Sequence, residues 1–266
     1  GLDNFCWPDP VESAKTPDGR YKLAQLVRAN RAIDDICRAY RLPCISGKDS
    51  MKNDATLDGE KISVPPTILF SLVGNHSDVR KAVSSDFKKK GDSIYLLGET
   101  HQELGASELA FMLRDEGQGG IGGSVPAIDP SRNLAMYRAL TGAMRKSLVS
   151  SAHDCSDGGL AVALAECCFG ADSGATVELD SILRGSEALD KWGALFGESL
   201  GRILVSVKEE SREEFEVAMT GHACHHLGTV IEGDEITFSN NGEEILVTSM
   251  SEARSAWKKA LDGGGA

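Results

Sequence analysis

Apolar positions along the chain fall into two periodicities. Over residues 21–40, Leu23, Leu26, Val27, Ile33, Ile36 and Cys37 recur at three- and four-residue spacing. That spacing predicts an amphipathic helix, ended by Arg41-Leu42-Pro43 because a proline disfavours helical geometry in the residue before it. Helical spacing returns over 76–88 (as an amphipathic connector), 104–115, 129–150, 158–167, 190–196, 209–220 and 251–261. Between these lie short apolar, β-branched runs at 67–73, 93–98, 175–179 and 203–207, which predict strands. Residues 43–46 read as a short strand running into a glycine turn, with Lys48, Asp49 and Ser50 at its end. Three more short strands are expected at 228–231, 235–238 and 244–247, joined by turns at Gly233-Asp234 and Asn241-Gly242. Asp58-Gly59 marks another turn, and 117–130 reads as a Gly- and Pro-rich loop. Mixed strands and helices give an α/β (α+β) class. The charge run Lys88-Lys89-Lys90-Gly91 separates a strand-rich part from a helix-rich one, so domains are expected at 1–88 and 89–266.

Composition narrows the function classes. The chain has 266 residues with 41% hydrophobic and 26% charged, ordinary proportions for a globular protein. Its net charge of −12 argues against a general nucleic-acid or anionic-membrane surface, though not against a local phosphate site. No apolar run is long enough to span a bilayer. Seven cysteines without a repeated CxxC spacing read as reduced, mostly buried thiols of a cytoplasmic protein. The opening Gly1-Leu2-Asp3-Asn4-Phe5-Cys6-Trp7 starts without an initiator Met, and 260–266 reads as a frayed tail, so a piece of something longer is expected.

The stretch of most chemical interest is 146–167. His153-Asp154-Cys155-Ser156-Asp157 is a polar turn, and Gly158-Gly159 opens a strong helix. Ser156 and Asp157 are both suited to cap it, and the glycines would bare the first N–H groups to an anion such as phosphate. Asp154 beside a phosphate calls for a divalent cation, so the stretch points to a Mg-nucleotide site. The competing reading is a capped core helix after a polar turn. Lys48, Asp49 and Ser50 make a second phosphate or Mg²⁺ neighbourhood, without a Walker A pattern, against a self-bonded polar turn. His222, Cys224, His225 and His226 lack a second ligand pair at zinc spacing, and Cys167-Cys168 read as core thiols.

Four stretches then carry a resemblance. They are Leu2-Asp3-Asn4-Phe5-x-Trp7, Ser46-Gly47-Lys48-Asp49-Ser50-Met51, His153-Asp154-x-Ser156-Asp157-Gly158-Gly159-Leu160 running on to Glu166, and Leu195 through Arg202. In this order the chain resembles phosphoribosylformylglycinamidine synthase, within the aminoimidazole-ribonucleotide-synthetase superfamily. The resemblance implies an AIR-synthase-like fold, with a partial N-terminal A-domain bearing a mixed sheet and then a C-terminal α/β B-domain. It implies the second of two tandem A–B copies. It also implies ATP or ADP with Mg²⁺, and an ATP-dependent ligase of purine biosynthesis. ATP would phosphorylate the amide oxygen of formylglycinamide ribonucleotide, and glutamine-derived ammonia would displace the phosphate. By the same resemblance Asp154 is a metal ligand. Asp3, Gly47 and Ser156 contact nucleotide, and Lys48, Ser50, Glu198 and Ser199 contact substrate. No catalytic side chain is singled out. Implied partners are the first A–B half, a glutaminase and the small ribonucleotide, with no nucleic acid and no membrane. A homodimer of this piece is a further expectation. The alternatives are a non-catalytic nucleotide-binding scaffold half, which is favoured for the piece on its own, or another ATP-binding member of the superfamily.

Overall fold

A computed structural model describes residues 1–115, 117, 123–184 and 188–259. The expected tail at 260–266 and part of the expected loop at 117–130 lie outside them. The chain divides into two compact units, Gly1–Ser77 and Asp78–Ala266. Residues 78–88, placed by sequence in the first domain, group with the second unit. Phe87 is the reason: it is buried in that unit's core and its N–H donates to the Cys167 carbonyl at 3.0 Å.

In the first unit, β1 (Leu2–Cys6) leads through the helix α1 (Gly19–Tyr40) to β2 (Ser46–Ser50). β1 and β2 pair in parallel, which demands a crossover, and α1 supplies it. Arg41 ends α1 in the left-handed region, φ 54°. There the Arg41 N–H donates to Arg38 and the Leu42 N–H to Cys37, the two backbone bonds of a Schellman ending. Lys48, Asp49 and Ser50, expected in a turn past a strand at 43–46, are instead the strand β2 itself. Pairing along β1 extends them, whatever their own turn preference. β3 (Asp54–Leu57) and β4 (Glu60–Ser63) form a hairpin around Asp58 and Gly59, both at positive φ as a type I′ turn requires. β5 (Thr67–Ser71) runs antiparallel on the other side of β1, giving the order β2-β1-β5.

The second unit is a seven-stranded sheet with helices on both faces. Its elements are β6 (Ser93–Leu97), α2 (Glu108–Asp115), α3 (Pro130–Arg145), β7 (Ser151–Asp154), α4 (Gly159–Ala171) and β8 (Gly174–Glu178). Next come α5 (Asp180–Leu183), α6 (Lys191–Phe196), β9 (Ile203–Val207), α7 (Arg212–Ala218) and β10 (Cys224–Ile231). β11 (Glu235–Asn240), β12 (Glu243–Ser249) and α8 (Met250–Lys259) close the chain. The sheet order is β12-β11-β8-β10-β6-β9-β7, with β11 and β8 parallel. Period-two alternation sorts the side chains. Ile94, Leu96 and Leu204 face α4, with Leu160, Leu164 and Cys168. Tyr95, Leu97 and Val205 face α3 and α7, with Met136, Leu140 and Phe215. Both faces are covered, so a strand such as β6 is buried at all five positions. α4 is largely apolar, and Leu160, Ala161, Ala163, Leu164, Cys167 and Cys168 of it are buried.

Three further expectations shift. The Asn241-Gly242 turn makes the β11–β12 hairpin, but Gly233-Asp234 joins strands that have β8 between them. His225 and His226 belong to β10 rather than to a connector. The connector at 76–88 holds only one short 3₁₀ turn, at Val79–Lys81.

Candidate functional site

The site builds from the end of β7. This edge strand pairs with β9 and ends at Asp154, and the Cys155 N–H then donates to the Arg202 carbonyl at 3.1 Å. The chain turns through Ser156 and Asp157 into two left-handed glycines, Gly158 (φ 78°) and Gly159 (φ 66°), and α4 begins. A Cβ on Gly159 would stand 2.5 Å from the Gly197 carbonyl oxygen. The glycine pair is therefore required by backbone conformation and by close approach of the 195–197 segment.

The expected capping by Ser156 or Asp157 does not occur. No side-chain cap closes α4, and the Ser156 hydroxyl donates to the Asp154 carboxylate instead. Glu198 takes the helix terminus: its Oε1 accepts from the Gly158 N–H at 2.9 Å and from the Glu108 N–H at 2.9 Å. One carboxylate thus sits against the starts of α4 and α2, where two helix dipoles and two charge-assisted bonds hold it. The N–H of Gly158, expected to be bared to phosphate, is occupied.

Asp154, Ser156, Asp157, Glu198, Leu200 and Arg202 line one cleft of about 390 Å³. Arg202 forms its floor. It is 1% exposed, donating from Nε to the Ser199 carbonyl (3.2 Å), from Nη1 to Thr100 Oγ1 (3.3 Å) and from Nη2 to the Gly197 carbonyl. Burial pulls its pKa down, but a guanidinium keeps its charge, so the floor is cationic. Asp154 stands on the rim, its side chain 69% exposed. The Ser156 hydroxyl, above all, holds its carboxyl below the usual range, with His153 adding to the effect. His153 is held in turn, its Nε2 2.9 Å from Glu166 Oε2 and its Nδ1 3.4 Å from Asp154 Oδ1. Among the described residues no group of three or more His, Cys, Asp or Glu side chains is placed to hold a metal ion. Asp154 fits the role of a single carboxylate ligand, with the remaining oxygens coming from phosphates and water, as Mg²⁺ commonly takes them.

The structure thus brings three of the sequence-selected residues, Asp154, Ser156 and Glu198, into one cleft. Ser199 lies behind it, 1% exposed, its hydroxyl accepting from the His101 N–H at 3.0 Å. The other four are in the first unit. Asp3 and Gly47 are register partners on β1 and β2, and the Asp3 carboxylate occupies the space that a Gly47 side chain would need. Lys48 and Ser50 alternate with Gly47 and so lie on the opposite face, where the ammonium donates to the Ser50 hydroxyl. Sequence reasoning gave no role to Arg202 or to the His153–Glu166 pair. The signal for Arg202 was an arginine directly before an apolar strand run; for the pair, a histidine and a glutamate on either side of a helix start.

With this geometry in hand, the fold is an AIR-synthase-like mixed α/β arrangement. Residues 89–240 match the family described as AIR synthase related protein, C-terminal domain, and the chain belongs to that family. Among solved structures, PurL of Thermotoga maritima complexed with ATP aligns with a TM-score of 0.64 at 15% identity, over 95% of this chain and 37% of that one. The same protein complexed with FGAR aligns at a TM-score of 0.66 and 16% identity, over 95% and 38%. The hydrogenase maturation protein HypE in complex with ATP aligns at 0.59 and 15%, over 93% and 72%. The chain therefore spans a little over a third of the PurL chains. At these identities the likeness is one of fold.

Proposed function

We propose that this chain is the nucleotide-holding part of a synthase like PurL, and that the 154–158/198–202 cleft takes the nucleotide. The observation that carries the reading is the convergence of Asp154, Ser156 and Arg202 at the start of α4. Support comes from family membership and from a fold shared with proteins solved with ATP, ADP and FGAR. In this reading Arg202 compensates phosphate charge from below, and Asp154 directs one oxygen to a nucleotide-bound Mg²⁺. The whole enzyme would join ammonia to the activated amide of formylglycinamide ribonucleotide. That step would need the first A–B half and a glutaminase, so this piece alone would hold nucleotide and not form amidine. The scaffold role is favoured by Glu198, which ties two helix starts together at the place where phosphate was expected.

Calorimetric titration of the chain with Mg-ADP and Mg-ATP tests the reading. Binding is expected, weakened about tenfold or more by Asp154→Asn, with the circular dichroism spectrum unchanged. Equal affinity in Asp154→Asn would leave the turn as a structural corner only.

A further inference from the structure

The first unit holds a feature that the nucleotide reading does not use. Cys37, in the last turn of α1, and Cys44, two residues before β2, place their sulfurs 3.5 Å apart. The Schellman ending brings them there by folding the chain back after Tyr40, and Pro43 stiffens the return. Both line a cleft of about 720 Å³ with Asp3, Arg38, Arg41 and Leu42. Cys44 is exposed and Cys37 half-buried. A disulfide needs sulfurs about 2.0 Å apart, so closure asks for about 1.5 Å of movement, within reach of side-chain rotation.

We propose that Cys37 and Cys44 are a reversible dithiol–disulfide pair that exchanges with small disulfides of the glutathione type, and that the oxidised form ties the end of α1 to the start of β2. The Cys44 thiolate attacks one sulfur of the small disulfide. A mixed disulfide forms, and one thiolate leaves and takes up a proton. Cys37 then loses its proton to solvent and attacks the Cys44 sulfur, expelling the second small thiolate. In balance, two protein thiols are oxidised and one small disulfide is reduced to two thiols. Exposure selects Cys44 as the attacker, while burial and the hydrogen bond with Cys44 push the Cys37 thiol up, which suits it to the second step. Arg38 and Arg41 on the cleft wall suit an anionic small disulfide, although Arg38 already pairs with Asp34 at 2.8 Å. The other thiols are poorly placed. Burial pushes Cys155 up to about 11 and Cys168 and Cys224 up to about 12, raises Cys167 as well, and Cys6 accepts from Asn53 Nδ2 at 3.2 Å.

The test incubates the folded chain with oxidised glutathione, blocks free thiols by alkylation and maps tryptic peptides. Cleavage after Arg38 and Arg41 separates the two cysteines, so the bond appears as joined peptides. The expected result is one Cys37–Cys44 linkage, reversed by reductant, with the other five of the seven cysteines alkylated. Cys37→Ser should stop at a glutathione adduct on Cys44, and Cys44→Ser should give neither adduct nor linkage at Cys37. Amide exchange over Ser46–Ser50 should slow in the oxidised chain. All seven thiols remaining free, a linkage through another cysteine, a Cys37 adduct forming as fast without Cys44, or unchanged amide exchange would each overturn the proposal.

Discussion

The two units solve the same problem with unequal means. In the second, both faces of the sheet are buried, and residues such as Leu96, Leu164 and Val205 are wholly enclosed. In the first, Phe5, Trp7 and Pro8 are the buried apolar side chains among the described residues, while Ile45, Leu69 and Val73 are 73%, 61% and 77% exposed. A three-stranded sheet with one helix against it cannot cover two faces, so the first unit leaves apolar surface to water and rests on a small core. The second unit carries its own core. It is also the part that the family model matches and the part that holds the Asp154 cleft.

The sharpest test of this contrast is a pair of truncations. Leu164→Ala should cost about 2–5 kcal/mol, as enclosed leucines do, whereas Leu69→Ala should stay within about 0.5 kcal/mol. Urea unfolding of the purified chain measures both. A comparable loss at Leu69 would break the comparison, since the first unit's apolar face would then be covered in solution. The glycines give a smaller contrast. Gly59→Ala in the β3–β4 turn meets open space and should cost only the left-handed penalty, about 1 kcal/mol. Gly159→Ala adds a clash with the Gly197 carbonyl and should cost about 2–4 kcal/mol by the same measurement.

The smallest effects are in acid. Asp54 of the first unit is pushed up by burial, but Ser63, Lys61 and the Asp9 N–H outweigh this, so its carboxyl is held low. Asp154 of the second is held low mainly by the Ser156 hydroxyl. A carboxyl with a depressed folded pKa stabilises the fold above its unfolded pKa of about 4, and that contribution disappears as pH falls through the folded value. Carboxyl titration by nuclear magnetic resonance should show both midpoints below the ordinary range, with Ser156→Ala moving Asp154 upward and leaving Asp54 in place. A shift at Asp54 instead would mean that the two units are electrostatically linked.

How much the sequence revealed depends on where the determining contacts lie. Helix α1 was legible almost to the residue, because its periodicity and its Pro43 stop are local. β6 and β9 were legible as apolar runs. β1, β3, β4 and β7 were not: β1 carries Asp3 and Asn4, β7 carries His153 and Asp154, and both are extended by their neighbours rather than by propensity. The Asp58-Gly59 turn was read without the hairpin around it. At the cleft, Asp154, Ser156 and Glu198 were selected by motif, but the bonding of Glu198 to Gly158 and Glu108 depends on contacts far apart in sequence. The same holds for Arg202, whose partners Gly197, Ser199 and Thr100 assemble only once β9 is in place.

The strand order of the second unit has a consequence for the speed of folding. Among the described residues, β11 and β12 are the unit's one pair of neighbouring strands that are consecutive in the chain. β6, whose five residues are all buried, finds its partners only in β9, from Ile203, and β10, from Cys224. Loop-closure entropy is therefore spent on long-range pairings before most of the sheet gains anything, the pattern that makes folding slow. Until the later strands arrive, Ile94 through Leu97 are an unpaired apolar segment, and a newly made chain is open to aggregation there.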